Sequence, residues 1–288
     1  MKKLASILII FGLLISATSC MITININTPL EPTDNVLRAE AVYDDIDALD
    51  YLFTFDQIPF LGTDVMRSEI TKIIFQPNLK GVPDMVYDLS EKGDQSVIMW
   101  NDNGTVTIAA DGAIMANPNS SSLFEDMSNL KSIDLYGLNT SLATNMSSMF
   151  SGCESLTSID LSRFETGSVT DMSNMFMSCE SLTKLDVSSF DTKNVADMTF
   201  MFAFCSGIKK LDLSNFNTSN VTRMVGMFST CTALESLDLS SFDLHNVTAL
   251  DDFFEYCFKL SDINCELDVP EGYTFNKLIR GTKIKRQE

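Results

Sequence analysis

From Ser121 to Leu267 the chain repeats one arrangement of apolar and polar positions every 26 residues, without insertion or deletion, in six copies. Phe124, Phe150, Phe176, Phe202, Phe228 and Phe254 keep the step, as do Cys153, Cys179, Cys205, Cys231 and Cys257. Repeats of this size are units too small to bury an apolar side alone, so neighbours must stack to build a common core. Each copy carries two periods. Met172, Met175, Phe176 and Cys179 fall at i, i+3, i+4 and i+7, the spacing of one face of a short helix. Thr170 precedes it as an N-cap, with Thr144, Thr222 and Thr248 equivalent. Leu182, Leu185 and Val187 then form an L-x-x-L-x-L phrase that alternates like a half-buried strand. Phe190, Thr192 and Val195 occupy the connecting loop, where Asn194, Asn220 and Asn246 suit a tight turn. The pattern predicts an α/β repeat, a strand-helix solenoid spanning residues 121–267.

Open ends of such a stack need covers. Val97 to Ala110 reads as a β-hairpin turning at Asn103-Gly104, and Ile70 to Phe75 as a further strand. These place a small β-rich N-terminal cap over residues 63–120, preceded by a tether and a segment of uncertain structure over 21–62. The sixth copy departs from the pattern at Leu250, Phe253 and Cys265, as a terminal copy should. Residues 268–288 form a basic tail.

Residues 1–20 follow the plan of a signal peptide: Lys2 and Lys3, an apolar run from Leu4 to Ile15, then small residues ending at Cys20. The cysteine makes the leader resemble that of a bacterial lipoprotein, which implies lipidation of Cys20 and a membrane anchored through that lipid. Ala17-Thr18-Ser19 also suits ordinary signal peptidase. Net charge is −19, and loss of the leader removes two more lysines. Such acidity repels nucleic acid and anionic headgroups, which excludes both as expected partners of the folded part.

The phrase L-x-x-L-D-L-S-x-F-x-T…V-T-x-M-x-x-M-F-x-x-C, written as Leu156 to Cys179 and repeated, resembles the BspA-type leucine-rich-repeat surface lipoproteins of bacteria. The lead-in from Asp88 to Phe124 is similar to the segment that precedes such repeats, and the resemblance covers roughly residues 69–267. It implies a leucine-rich-repeat-like strand-helix solenoid displayed outside the cell, in a family discussed as adhesins or binding proteins.

Candidate chemistry is sparse. His245 is the one histidine, so no His-based triad or multi-histidine zinc site can be assembled. No cofactor or metal is expected. The five laddered cysteines lie on the inward face, where Cys acts as a small buried hydrophobe; Cys257 with Cys265 is the one pair suited to a bridge. The outward strand positions are more suggestive. Asp134, Asp160, Asp186, Asp212 and Asp238 recur there, ending in Asn264, with Ser162, Ser188, Ser214 and Ser240 two residues on. Strands in register bring such carboxylates to about 4.8 Å from each other, where they repel. Lys184 and Lys210, serine and backbone hydrogen bonds, or a bound cation or cationic partner are the available reliefs.

These features lead to one expectation: a non-catalytic, lipid-anchored surface module whose Asp/Ser column contacts a protein or glycan of a host or neighbouring cell. The alternatives are a structural envelope spacer without a ligand, and an accessory subunit of a surface enzyme system.

Overall fold

The computed structural model describes Leu37, residues 59–264 and residues 271–272. The leader with Cys20, most of residues 21–62, Cys265 and all but 271–272 of the basic tail lie outside the described residues. Among the described residues ten strands follow in chain order: β1 (Lys72–Gln76), β2 (Tyr87–Asp88), β3 (Val97–Asp102), β4 (Thr105–Ala110), β5 (Ile114–Met115), β6 (Ser132–Asp134), β7 (Leu138–Asn139), β8 (Lys210–Asp212), β9 (Ser236–Asp238) and β10 (Asp262–Asn264). They form a five-stranded sheet ordered β2-β3-β4-β1-β6, a three-stranded sheet β10-β9-β8 and a pair β5-β7.

No α-helix occurs among the described residues; helical geometry is confined to the 3-10 turns Phe60–Gly62 and Arg67–Glu69. The expected α/β, leucine-rich-repeat-like strand-helix solenoid is therefore wrong in its helix. The Met-Phe-Cys segment instead runs as a chain of turns. Amides of Met172, Asn174, Phe176 and Ser178 donate to Asp197, Thr199, Met201 and Ala203 of the following copy at 2.8–3.0 Å. The intervening amides of Met175, Met177 and Cys179 close onto carbonyls three residues back at 2.9–3.3 Å. A helix past its first turn would need these donors for its own i−4 carbonyls.

The hand of the backbone reverses twice per copy to allow this. Ser122, Ser148, Asn174, Phe200, Gly226 and Asp252 have φ between 55° and 58° except Phe200 at 52°. Asp126, Gly152, Ser178, Phe204, Thr230 and Tyr256, four residues on, have φ between 57° and 71°. Met172, Met175, Phe176 and Cys179 still all point inward and are fully buried. The helical spacing was real; the helix was not. Thr170 is likewise no N-cap, since its hydroxyl donates to Thr144 of the preceding copy at 3.2 Å.

Copies stack in parallel register one step apart, through bridges Asn119↔Asn145, Asn145↔Asp171, Asp171↔Asp197, Asp197↔Arg223 and Arg223↔Ala249. On the leucine side, β8, β9 and β10 pair in parallel, Leu211 against Leu237 and Leu237 against Ile263. The core is a file of phenylalanines. Rings of Phe124, Phe150, Phe176, Phe202, Phe228 and Phe254 stack with centroids 5.2–5.8 Å apart and planes within 24°. Full burial of each contributes about 1.5–3 kcal/mol, but only when both neighbours are in place.

Polar side chains clamp the layers as well. Buried Thr192 donates its hydroxyl to the Asn217 carbonyl (3.0 Å) and accepts from the Asn217 amide (2.8 Å). Thr140, Thr166 and Thr218 do the same to Glu165, Asp191 and Asp243. Asn194, Asn220 and Asn246 donate to carbonyls of the preceding copy at 2.6–2.7 Å.

The first copy meets β1, which lies between β4 and β6 and continues the parallel register, Ile73 opposite Ile133. β3 and β4 form a hairpin across Asn103-Gly104. Arg67 completes the junction. It is 3 % exposed, and its guanidinium donates to the Leu123 and Glu125 carbonyls at 3.5 and 2.6 Å. In the second copy the matching carbonyls, Met149 and Ser151, accept amides of Phe124 and Asp126. One side chain thus replaces a missing layer. Phe60 and Phe75 cover the first ring of the file, Phe124, at 6.5 and 6.0 Å.

Candidate functional site

Alternation in the leucine phrase decides which groups reach solvent. Leu211 and Leu213 are buried, so Asp212 between them must project outward, and it is exposed. Asp134, Asp160, Asp186 and Asp212 are exposed and Asp238 half-exposed, so the column has the orientation expected of it. Each carboxylate is engaged by its own turn: Oδ1 accepts the amide two residues on at 2.9–3.0 Å, from Tyr136, Ser162, Ser188, Ser214 and Ser240 in turn.

These bonds decide the electrostatics. Hydrogen bonding from the following serine, side chain first and amide second, holds Asp160, Asp186, Asp212 and Asp238 below the usual carboxylate range. Repulsion is present, from Asp160 on Asp186 and from Asp238 and Asp186 on Asp212, but it is the smaller effect. Asn264 adds a 2.9 Å bond to the second oxygen of Asp238. The expected help from lysine is not found. Among the described residues the ion pairs are Lys193–Asp191 (2.6 Å) and Arg223–Asp197 (3.0 Å), and neither Lys184 nor Lys210 joins one.

The C-terminal half of this face forms an open groove of about 680 Å³. It gathers Asp186, Asp212, Asp238, Ser188 and Ser214 from the predicted column, together with Asn264; Asp134, Asp160, Ser162 and Ser240 do not line it. It also recruits Lys210, expected on this face as a partner of the acids, and Asn215, Ser236 and Asp262, which the repeat pattern did not single out. Lys210, Ser236 and Asp262 stand two residues before the column and hence on the same face of β8, β9 and β10. That spacing alone could have found Ser236 and Asp262. The groove is consequently a mixed surface of carboxylates, one ammonium, hydroxyls and amides at a constant step.

The remaining candidates are placed as follows. Cys153, Cys179, Cys205, Cys231 and Cys257 are free, buried thiols. Each donates to the Phe carbonyl of the preceding copy at 2.9–3.2 Å. Burial pushes the Cys153 and Cys205 thiols up to about 12. His245 is an exposed loop residue whose amide donates to Asp243. Among the described residues no group of three or more His, Cys, Asp or Glu side chains is arranged to hold a metal ion.

These features define a stacked-repeat β protein with an open polar face. Its sequence matches, twice, the family described as "Mycoplasma protein of unknown function, DUF285", over residues 118–211 and 186–287, and the chain belongs to that family. The two matches share residues 186–211, the length of one copy. Comparison with curated proteins and with solved structures gives no match.

Proposed function

We propose that this chain is a non-catalytic surface-binding module, akin to the BspA-type repeat proteins, exported and held to the membrane by lipid on Cys20. Its groove recognises an extended protein or glycan ligand of a neighbouring or host cell. The observation that supports this reading is the groove itself. Asp186, Asp212 and Asp238 present equivalent carboxylates in successive layers about 4.8 Å apart, with hydroxyls and amides between them. A repeating ligand can engage several layers at once, so weak single contacts sum to useful avidity.

The test uses the full chain lacking its leader, presented to matrix proteins, mucin and glycan arrays. A triple variant, Asp186→Asn with Asp212→Asn and Asp238→Asn, keeps an acceptor for each turn while removing charge. Saturable binding that weakens at least about tenfold in the variant supports the reading. Binding indifferent to the variant would sink it.

One observation favours the ligand-free spacer instead: every column carboxylate already has an acceptor role within its own turn. No saturable binding on any panel, together with envelope defects in cells lacking the protein, would select that reading.

A further inference from the structure

The copies are nearly interchangeable, so a position that breaks the pattern at the surface calls for its own explanation. One such break lies between the cap and the first two copies. Tyr136 stands where later copies have Ser162, Ser188, Ser214 and Ser240, and Arg163 where they have Ser189, Asn215 and Ser241. Neither replacement is buried, and Tyr136 is 62 % exposed, so packing does not demand them. Both line a separate concavity of about 270 Å³, with Pro77, Leu138, Asn139 and Glu165. None of the column aspartates lines it.

The pocket is organised before any ligand arrives. The Arg163 guanidinium lies over the Tyr136 ring, 4.5 Å from its centroid, which biases the direction of its donors. No carboxylate pairs with it among the described residues. In so acidic a chain, an oriented and unneutralised guanidinium is a selective feature. Glu165 is anchored through its backbone: Thr140 accepts its amide at 2.8 Å and donates to its carbonyl at 3.1 Å. Its exposed side chain is left to accept hydrogen bonds. Gly137 allows the cap to close in, since a Cβ there would be 2.6 Å from the Phe75 carbonyl and 3.1 Å from Pro77. Pro77 thereby supplies an apolar wall, with the buried Leu138 behind it.

We infer that this pocket binds an acidic sugar, such as a uronic acid residue of a glycan. Its carboxylate meets the fork of Arg163, its hydroxyls meet Glu165 and Asn139, and the C–H face of its ring packs against Pro77. The volume suits one such ring. Arg with carboxylate gives the orientation, because the planar fork matches two oxygens at once. An acidic peptide offers the same carboxylate but not a ring of hydroxyls for Glu165 and Asn139 to accept from and donate to.

The experiment titrates the full chain without its leader, followed by amide NMR shifts and calorimetry. The probes are methyl glucuronide, methyl glucoside and N-acetylglutamate. Saturable binding of methyl glucuronide is expected, at least about tenfold stronger than either comparison probe, and weakened by salt. Arg163→Ser and Tyr136→Ser install the residue of other copies, so both should fold with native melting, and both should abolish binding. Arg163→Lys keeps the charge but loses the fork and should bind about tenfold more weakly. The triple Asn variant of the groove should bind methyl glucuronide unchanged, which separates failure of this inference from failure of the groove reading. Equal binding of glucuronide and glucoside, stronger binding of N-acetylglutamate, undiminished binding by Arg163→Ser, or no saturation with glucuronide overturns the assignment.

Discussion

The ring of Phe200 rests on the bare backbone of Gly226. A Cβ built on Gly226 would lie 2.1 Å from Phe200 Cε1 and 2.5 Å from Cδ1. Both residues occupy the same left-handed column, one copy apart, and their φ values are 52° and 55°. The side chain of one therefore uses the room left by the other's lack of one. Gly226→Ala introduces a clash and a left-handed alanine together, and should destabilise by about 2–4 kcal/mol, read as a lower denaturation midpoint. Adding Phe200→Ser, the residue at Ser148, should recover the clash but not the backbone strain. The two changes will thus be non-additive in a double-mutant cycle.

Arg67 is expected to govern the start of the stack. Arg67→Met retains much of the stem but leaves the Leu123 and Glu125 carbonyls without its donors. A loss of about 2–4 kcal/mol follows, because buried acceptors lose charged donors. Hydrogen exchange should show the first copy opening before the third, with amides of Phe124 and Asp126 losing protection first.

Asp126 introduces a pH dependence. Burial first, then the charges of Glu125 and Glu154, push its carboxyl from 3.8 up to about 7 against the opposing pull of Arg67. A carboxyl raised in the folded state binds its proton more tightly there than in the unfolded chain. Its contribution is complete below the unfolded value near 3.8 and is lost as pH climbs through about 7. Asp126→Asn should therefore melt higher than the parent at pH 8, by a few degrees, and show little advantage at pH 4. An advantage confined to pH 4 would contradict this sign.

Threonine at the inner loop position is predicted to be irreplaceable by its apolar isostere. Thr192→Val leaves both the amide and the carbonyl of Asn217 without the partner that the buried Thr192 hydroxyl supplies. The cost should be about 2–4 kcal/mol, with faster exchange of the Asn217 amide as the local signature. Thr192→Ser should recover most of it.

Much of this architecture was legible in the sequence, and one part was misread for a physical reason. Phe124 to Phe254 at a fixed step implied a shared core, and the alternation around Asp212 implied an outward acid column. Met172, Met175, Phe176 and Cys179 were ambiguous, because a turn with two left-handed residues returns the same side chains to one face as a helix does. The discriminating signal was composition. The intervening positions hold Ser148, Gly152, Asn174, Ser178 and Gly226, residues that favour the left-handed region or disfavour helix interiors. Phe200 and Phe204 conceal that signal in the fourth copy. The Tyr136–Arg163 pocket escaped notice because it arises where the repeat is broken, and because Pro77 reaches it from the cap, some sixty residues upstream.

The threonine clamp has an evolutionary corollary. Because Thr140, Thr166, Thr192 and Thr218 each grip a residue 25 positions ahead, in the next copy, length is quantised: duplication of a whole copy inserts a rung and preserves every grip, whereas gain or loss of one residue misaligns the grip at that seam. Relatives of this chain should accordingly differ in reach by increments of about 4.8 Å, one rung at a time.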